Sequence, residues 1–384
     1  MQRRDFMSLA PGLAALAGAP ALVGLARADE GLTARSLTIG SSAALSGPLA
    51  SLGLDLKQGV DAAIAQLNAR GGVQGRTLQL QMVDDGYVPA RSVENVRKMV
   101  GDGSVFALLS CVGTPNNTAI LPLIEEANLP YIAPLTGATS LRRANSRNVF
   151  HVRASYTDET QRLIQRLNGM GIGGLTVVYM DNAFGREVLA DAKKTMQGLG
   201  MQPGAEVALD TEGKNLAQVV SQVLASRPSA VFLATAGSVS AAAVQALRKP
   251  SPSLPIAALS VALGSDALKS LGAVGNGVAL TMVFPDPNHA KTPLVRDYQT
   301  AMRGIGLTEF SAGSFEGYIN TRVLAEGLER AGKDPSRAKL RQAMATLRGF
   351  DLGGFTVDYP PTTPYVGSRF VDLGILGASG RFIG

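Results

Sequence analysis

Residues 37–86 read LTIGSSAALSGPLASLGLDLKQGVDAAIAQLNARGGVQGRTLQLQMVDDG. The opening Leu37-Thr38-Ile39-Gly40 has the apolar, β-branched character of a short strand. From Gly53 to Ala69, the residues Leu56, Val60, Ala63, Ile64 and Leu67 recur at helical spacing and predict an amphipathic helix. Gly71-Gly72 ends it, because glycine enters the left-handed conformation at little steric cost. A second strand is predicted over 78–83, closing at Asp84-Asp85-Gly86. Strand, helix and strand in succession make a βαβ unit, and its two strands then lie parallel in one sheet.

The alternation continues outward. Helices are predicted over 90–100 and 116–127, with strands over 105–109 and 130–133. A second series has strands over 149–152, 175–180, 202–209, 230–234 and 256–259, with helices over 158–170, 186–199, 216–225 and 239–247. Helices over 293–303, 314–331 and 336–347 and strands over 356–358 and 369–376 complete the chain. Two successive series predict an α/β protein of two doubly wound, Rossmann-like lobes. Ligands of such sheets bind beyond the carboxyl ends of the strands. That rule selects 41–46, Asp84-Asp85, 110–114, 134–137, 180–184, 235–238 and Ser260 as the candidate site.

Composition narrows the function. The 384 residues carry a formal charge of +6, but the basic residues are scattered, with no stripe interleaved with aromatics for nucleic acid. Cys111 is the sole cysteine, so stability rests on cores, not on internal disulfides. His151 and His289 lack zinc-ligand spacing, and no metal or cofactor is expected. The first residues, Met1-Gln2-Arg3-Arg4-Asp5-Phe6-Met7, precede an apolar run and Ala26-Arg27-Ala28. This pattern predicts a twin-arginine signal peptide over 1–28, cleaved after Ala28, and a periplasmic mature protein.

Several motifs fail on context. Gly169-Met170-Gly171-Ile172-Gly173-Gly174 precedes a strand instead of opening a helix, which suits a turn better than a dinucleotide loop. Asp84-Asp85 suits bracing of a turn better than a metal. Two Ser/Thr/Gly clusters are stronger: Ser110-Cys111-Val112-Gly113-Thr114-Pro115 and Leu135-Thr136-Gly137-Ala138-Thr139. Each follows a strand, where free N–H groups and a helix dipole favour an anion. Plain N-capping by Thr114 or Thr136 accounts for the same residues equally well.

Taken in order, these segments resemble the type I periplasmic binding proteins, specifically the leucine/isoleucine/valine-binding family of ABC-transporter receptors. The matching pieces include Leu45-Ser46-Gly47-Pro48, Asn68-Ala69-Arg70-Gly71-Gly72-Val73-Gln74-Gly75 and Ala133-Pro134-Leu135-Thr136-Gly137-Ala138. Arg153-Ala154-Ser155-Tyr156, Asp181-Asn182-Ala183-Phe184-Gly185 and Glu316-Gly317-Tyr318 follow. The resemblance implies a non-enzymatic, monomeric receptor whose lobes close around a ligand for a membrane permease. It implies lobe 1 over 29–154 plus 284–352, and lobe 2 over 155–283 plus 353–384. A sensor feeding a membrane signalling partner is the alternative, and an enzyme using Cys111 a remote one.

By position, the resemblance places the ligand carboxylate on the two lobe 1 clusters, Cys111, Val112, Gly113 and Thr114 with Leu135, Thr136 and Gly137. Cys111 stands where a serine hydroxyl is usual, and Gly137 where a threonine is usual. Ser46 and Gly47 end the first strand; Phe184 and Tyr156 face them from lobe 2. Amino-acid binders of the family hold the ligand ammonium with an acid where this chain has Ser260 or Val261, and place a tyrosine where it has Ala236. Glu316 is the one substitute acid, if it faces the cleft. An unpaired buried ammonium costs several kcal/mol, against about 8 kcal/mol for a micromolar complex. The expected ligand is therefore a small organic or aromatic acid, ahead of a branched-chain amino acid. For the leader, replacing Arg3 and Arg4 by lysine is expected to abolish export, and amino-terminal sequencing of the exported protein should begin at Asp29.

Overall fold

The computed structural model describes residues 31–378 and 381–383. The leader predicted over 1–28 lies outside them. β1 (Ser36–Ala43) leads through α1 (Ala50–Ala69) to β2 (Thr77–Asp84), paired in parallel along their whole length. α2 (Pro89–Gly101), β3 (Ala107–Leu109), α3 (Thr114–Glu126), β4 (Tyr131–Ile132) and β5 (Val149–His151) extend the sheet. The spatial order 2-1-3-4-5 reverses direction between β1 and β3, which places the topological switch point at the carboxyl ends of those strands.

The chain then crosses to a second sheet. α4 (Tyr156–Gly169), β6 (Gly174–Met180), α5 (Ala183–Gly198), β7 (Gln202–Leu209), α6 (Leu216–Ala225), β8 (Val231–Ala234), α7 (Ser238–Arg248), β9 (Ile256–Ala258), α8 (Ser265–Leu271) and β10 (Ala279–Met282) follow. Their parallel order, 7-6-8-9-10, repeats the pattern of the first sheet. Sequence periodicity gave no sign of β10, a four-residue strand between Gly277 and Pro285, or of the seven-residue α8. Both are too short to show a period, yet both border the cleft.

After β10 the chain returns to the first lobe through α9 (Pro293–Gly304), α10 (Ala312–Ala331) and α11 (Arg337–Ala345). The expected boundary after Leu352 needs correction. β11 (Phe350–Asp351) pairs with β12 (Thr356–Val357), and β13 (Tyr365–Val366) joins the first sheet beside β5. Tyr365 stacks on Phe150 at 4.9 Å, and Tyr359 packs edge-on to the same ring. Residues 353–367 thus stay with lobe 1, held by aromatic burial that strand periodicity does not reveal. Only β14 (Asp372–Leu376) and β15 (Phe382–Ile383) join the second sheet, antiparallel at its edge.

The chain therefore passes between the lobes three times. The rings of Phe284, Phe355 and Phe370 pack in sequence, 5.1 and 6.3 Å apart, and tie the second passage to the third. Lobe 1 is braced by α1 against α10. A Cβ on Gly59 would stand 1.7 Å from the Ser314 carbonyl oxygen, and one on Gly317 2.2 Å from that of Leu56. These two glycines let the helix backbones touch. Gly59→Val should force them apart and lower stability by at least about 1–3 kcal/mol, read as a fall in the urea midpoint.

Candidate functional site

The carboxyl ends of both sheets face one another across the cleft, and the lobes are closed. Pro48 of lobe 1 accepts the Ser238 N–H at 2.9 Å, and a Cβ on Gly237 would stand 2.3 Å from the same carbonyl oxygen. Asp55 on α1 takes the Ser265 N–H at 2.9 Å and its hydroxyl at 2.6 Å, at the start of α8. Glu187 on α5 receives the Ser140 hydroxyl at 2.6 Å and the Thr139 N–H. Tyr87 accepts from Asn182 Nδ2 across the gap at 3.4 Å.

The two strand-end clusters meet as expected. The hydroxyls of Thr114 and Thr136 bond at 2.8 Å, so Thr114 is not spent on capping its own helix. Gly113 caps α3 at φ +96°, and the Thr114 N–H has no protein acceptor among the described residues. Tyr156 lies against this pair of clusters: its N–H donates to the Gly137 carbonyl at 2.7 Å, and its phenol is buried. Burial raises that phenol above its ordinary range, against opposing pulls from Arg153, Gly137 and Thr136. Phe184 meets the Tyr156 ring edge-on at 5.0 Å. The glycine at 137 now has a reason: a Cβ there would lie 2.6 Å from Tyr156. Gly113 has a similar one, since its Cβ would strike the Tyr87 ring at 2.3 Å.

Other expected residues take structural duties. Cys111 is fully buried, and its Sγ accepts the Ser42 N–H at 3.4 Å inside lobe 1. Burial pushes its thiol up to about 11. Val112 bridges to Leu135 and donates to the Ser42 carbonyl at 3.1 Å. Ser46 and Gly47 are exposed, and Ser46 gives its hydroxyl to Asp84 at 2.6 Å. Asp84 and Asp85 brace the loops: Asp84 also takes the Leu45, Ser46 and Gly86 N–H groups, and Asp85 the hydroxyls of Ser42 and Ser92. No cluster of metal-ligating side chains occurs among the described residues.

A cavity of about 650 Å³ opens between the lobes, within the range of small-molecule sites. Leu135, Ser260 and Glu316 of the expected residues line it, together with Leu52, Val261 and Phe284. Glu316, on α10, turns to Arg153 in the first passage between lobes. Arg153 is buried, with Nη1 3.4 Å from Glu316 Oε2 and Nη2 3.3 Å from Glu159 Oε1. Nη2 also donates to Ser260 Oγ. Glu159 in turn accepts the Ser260 N–H at 3.0 Å and the Thr281 hydroxyl at 2.5 Å. Burial alone would lower the Arg153 pKa, but Glu316 and Glu159 outweigh it and hold the guanidinium charged. Burial raises the Glu316 carboxyl, Arg153 opposes the shift and Glu159 adds to it.

A sequence profile of the periplasmic binding protein family matches residues 36–363. The chain belongs to the periplasmic binding protein family. It is 26% identical over 352 residues to the Leu/Ile/Val-binding protein BraC3 of Rhizobium johnstonii, covering 88% of this chain and 89% of that one. A substrate-binding periplasmic protein from Ralstonia solanacearum superposes with a TM-score of 0.85 at 31% identity, over 91% of this chain and 99% of the other. A possible leucine/isoleucine/valine-binding protein from Rhodopirellula baltica also gives 0.85, at 26% identity, over 91% and 97%. These relatives are binding proteins, not enzymes, and the family is extracytoplasmic.

Sequence reasoning did not assign Tyr87, Asp55 or Arg153 to the cleft, and it reached Asn182 only as part of the strand-end stretch 180–184. Tyr87 directly follows the strand-end Asp84-Asp85-Gly86, and Arg153 precedes Tyr156, so position alone offered a signal for both. At pH 8 Cys111 is shielded by complete burial, which also holds its thiol above the ordinary range and so protonated. Iodoacetamide at that pH should leave the folded protein unmodified and alkylate it fully in denaturant, as mass spectrometry would show.

Proposed function

We propose that this chain is the solute-binding receptor of an ABC importer, closing its two lobes around a small organic or aromatic carboxylate and presenting the closed form to a membrane permease. The observation that carries the reading is the donor set at the strand ends. The Thr114 N–H opens α3 without a protein acceptor among the described residues, the Thr114 and Thr136 hydroxyls meet at 2.8 Å, and Tyr156 of lobe 2 packs against Gly137. A carboxylate there would gain charge-assisted hydrogen bonds of about 1.5–3 kcal/mol each, and would link lobe 1 to Tyr156 of lobe 2. Binding energy spent across the cleft favours the closed state over the open one.

The absence of an acid after β9 supports the preference for a plain acid over a branched-chain amino acid. Ser260 and Val261 occupy that place, and Glu316 has Arg153 as its partner. Phe284, Leu52 and Val261 offer apolar surface for the ligand body. Cys111 stands outside this reading, because it is buried against the β1 backbone. The mature protein is proposed to act in the periplasm as a monomer, after twin-arginine export.

Isothermal titration with benzoate, short keto acids, branched fatty acids, leucine and valine tests the proposal. Micromolar or tighter binding of one of the acids is expected, and tight leucine binding with no response to the acids would refute it. Gly137→Ala should weaken the bound acid at least about tenfold, because its Cβ displaces Tyr156 from the donor set.

A further inference from the structure

The Arg153 network leaves two hydrogen-bonding capacities unspent at one point of the cavity wall. Glu316 and Ser260 sit on neighbouring nitrogens of the same guanidinium, one from each lobe, and both line the cavity. Glu316 is 6% exposed, and its Oε1 is buried with no partner among the described residues. Ser260 Oγ accepts from Arg153, so its own O–H proton remains to be given, while its N–H is already committed to Glu159. Of the other charged groups of the wall, Asp55 is engaged by Ser265, Lys269 by Glu309, and Arg303 by Gln299 and the ring of Phe310, while Asp266 and Arg381 are exposed to solvent. The acceptor at Glu316 and the donor at Ser260 therefore stand out.

Their chemistry selects a partner. A methylene leaves the carboxylate oxygen unpaired in a dry site, which is costly. An ammonium has three donors and no acceptor, so it serves Glu316 and leaves the Ser260 proton unanswered. A hydroxyl donates to one and accepts from the other. We infer that the ligand is a hydroxylated carboxylate whose hydroxyl sits between Glu316 Oε1 and Ser260 Oγ. The inference rests on the carboxylate reading above and narrows it. A pocket built to pair a hydroxyl discriminates sharply against the analogue that lacks it, because its own polar groups are then left unpaired.

Titration of matched pairs tests it: benzoate with 3- and 4-hydroxybenzoate, hexanoate with 6-hydroxyhexanoate, and 4-methylpentanoate with its 2-hydroxy and 2-amino forms. The best-bound pair should favour its hydroxylated member at least about tenfold, and Ser260→Ala and Glu316→Gln should each bring that ratio towards one. Thermal melting checks that both variants fold; Ser260→Ala, at a half-buried position, carries the test should Glu316→Gln not fold. Equal affinities within every pair, or a preference that survives Ser260→Ala, would overturn the inference and leave the carboxylate reading standing. So would tightest binding of the 2-amino form. If no acid binds, plain or hydroxylated, the carboxylate reading falls and the inference falls with it.

Discussion

A guanidinium shared by both lobes is the constraint on which the rest of this molecule turns. Arg153 is buried in the first passage between lobes, with Glu316 on one side and Glu159 and Ser260 on the other. Removing either partner of such a buried pair typically costs about 3–5 kcal/mol, because the remaining charge stays in a poor solvent. The residues that meet there come from α4, α10, the end of β9 and the end of β10, so one cation fixes the relative position of four elements. Tyr156, three residues further on, packs its ring under the same guanidinium and gives its N–H to the Gly137 carbonyl, which ties the arrangement to the strand-end cluster.

Much of the fold was legible because parallel strands and their helices leave long periodic signals. The unit over 37–86 appeared in the structure as β1, α1 and β2, with boundaries shifted by at most three residues. What escaped detection was short. β10 and β13 have four and two residues, and what places them is pairing with distant strands and, for β13, aromatic contact with Phe150. No local pattern encodes that, and the third passage between lobes was accordingly put too early.

The candidate site divides along the same line. The nearness of the two strand-end clusters was readable, since each follows a neighbouring parallel strand; the Thr114 and Thr136 hydroxyls meet, and the Gly113 N–H donates to the Leu135 carbonyl. Side-chain direction was not. Cys111 turns into lobe 1, Ser46 turns to Asp84, and Glu316 is claimed by an arginine 163 positions away. Such outcomes depend on which neighbour offers the better partner, and that is decided by packing between lobes.

Gly113 and Gly137 each leave room that an aromatic ring from elsewhere in the chain fills, Tyr87 in one case and Tyr156 in the other. Each glycine and its ring are therefore a single heritable unit. At position 137 the ring is only part of the obstacle: an added Cβ would also stand 2.7 Å from the Tyr156 backbone nitrogen, so a smaller residue at 156 would not by itself make room. A smaller residue at 156 beside Gly137 would instead leave a void. The contour of the cleft at these two points therefore belongs to each pair and not to either member alone.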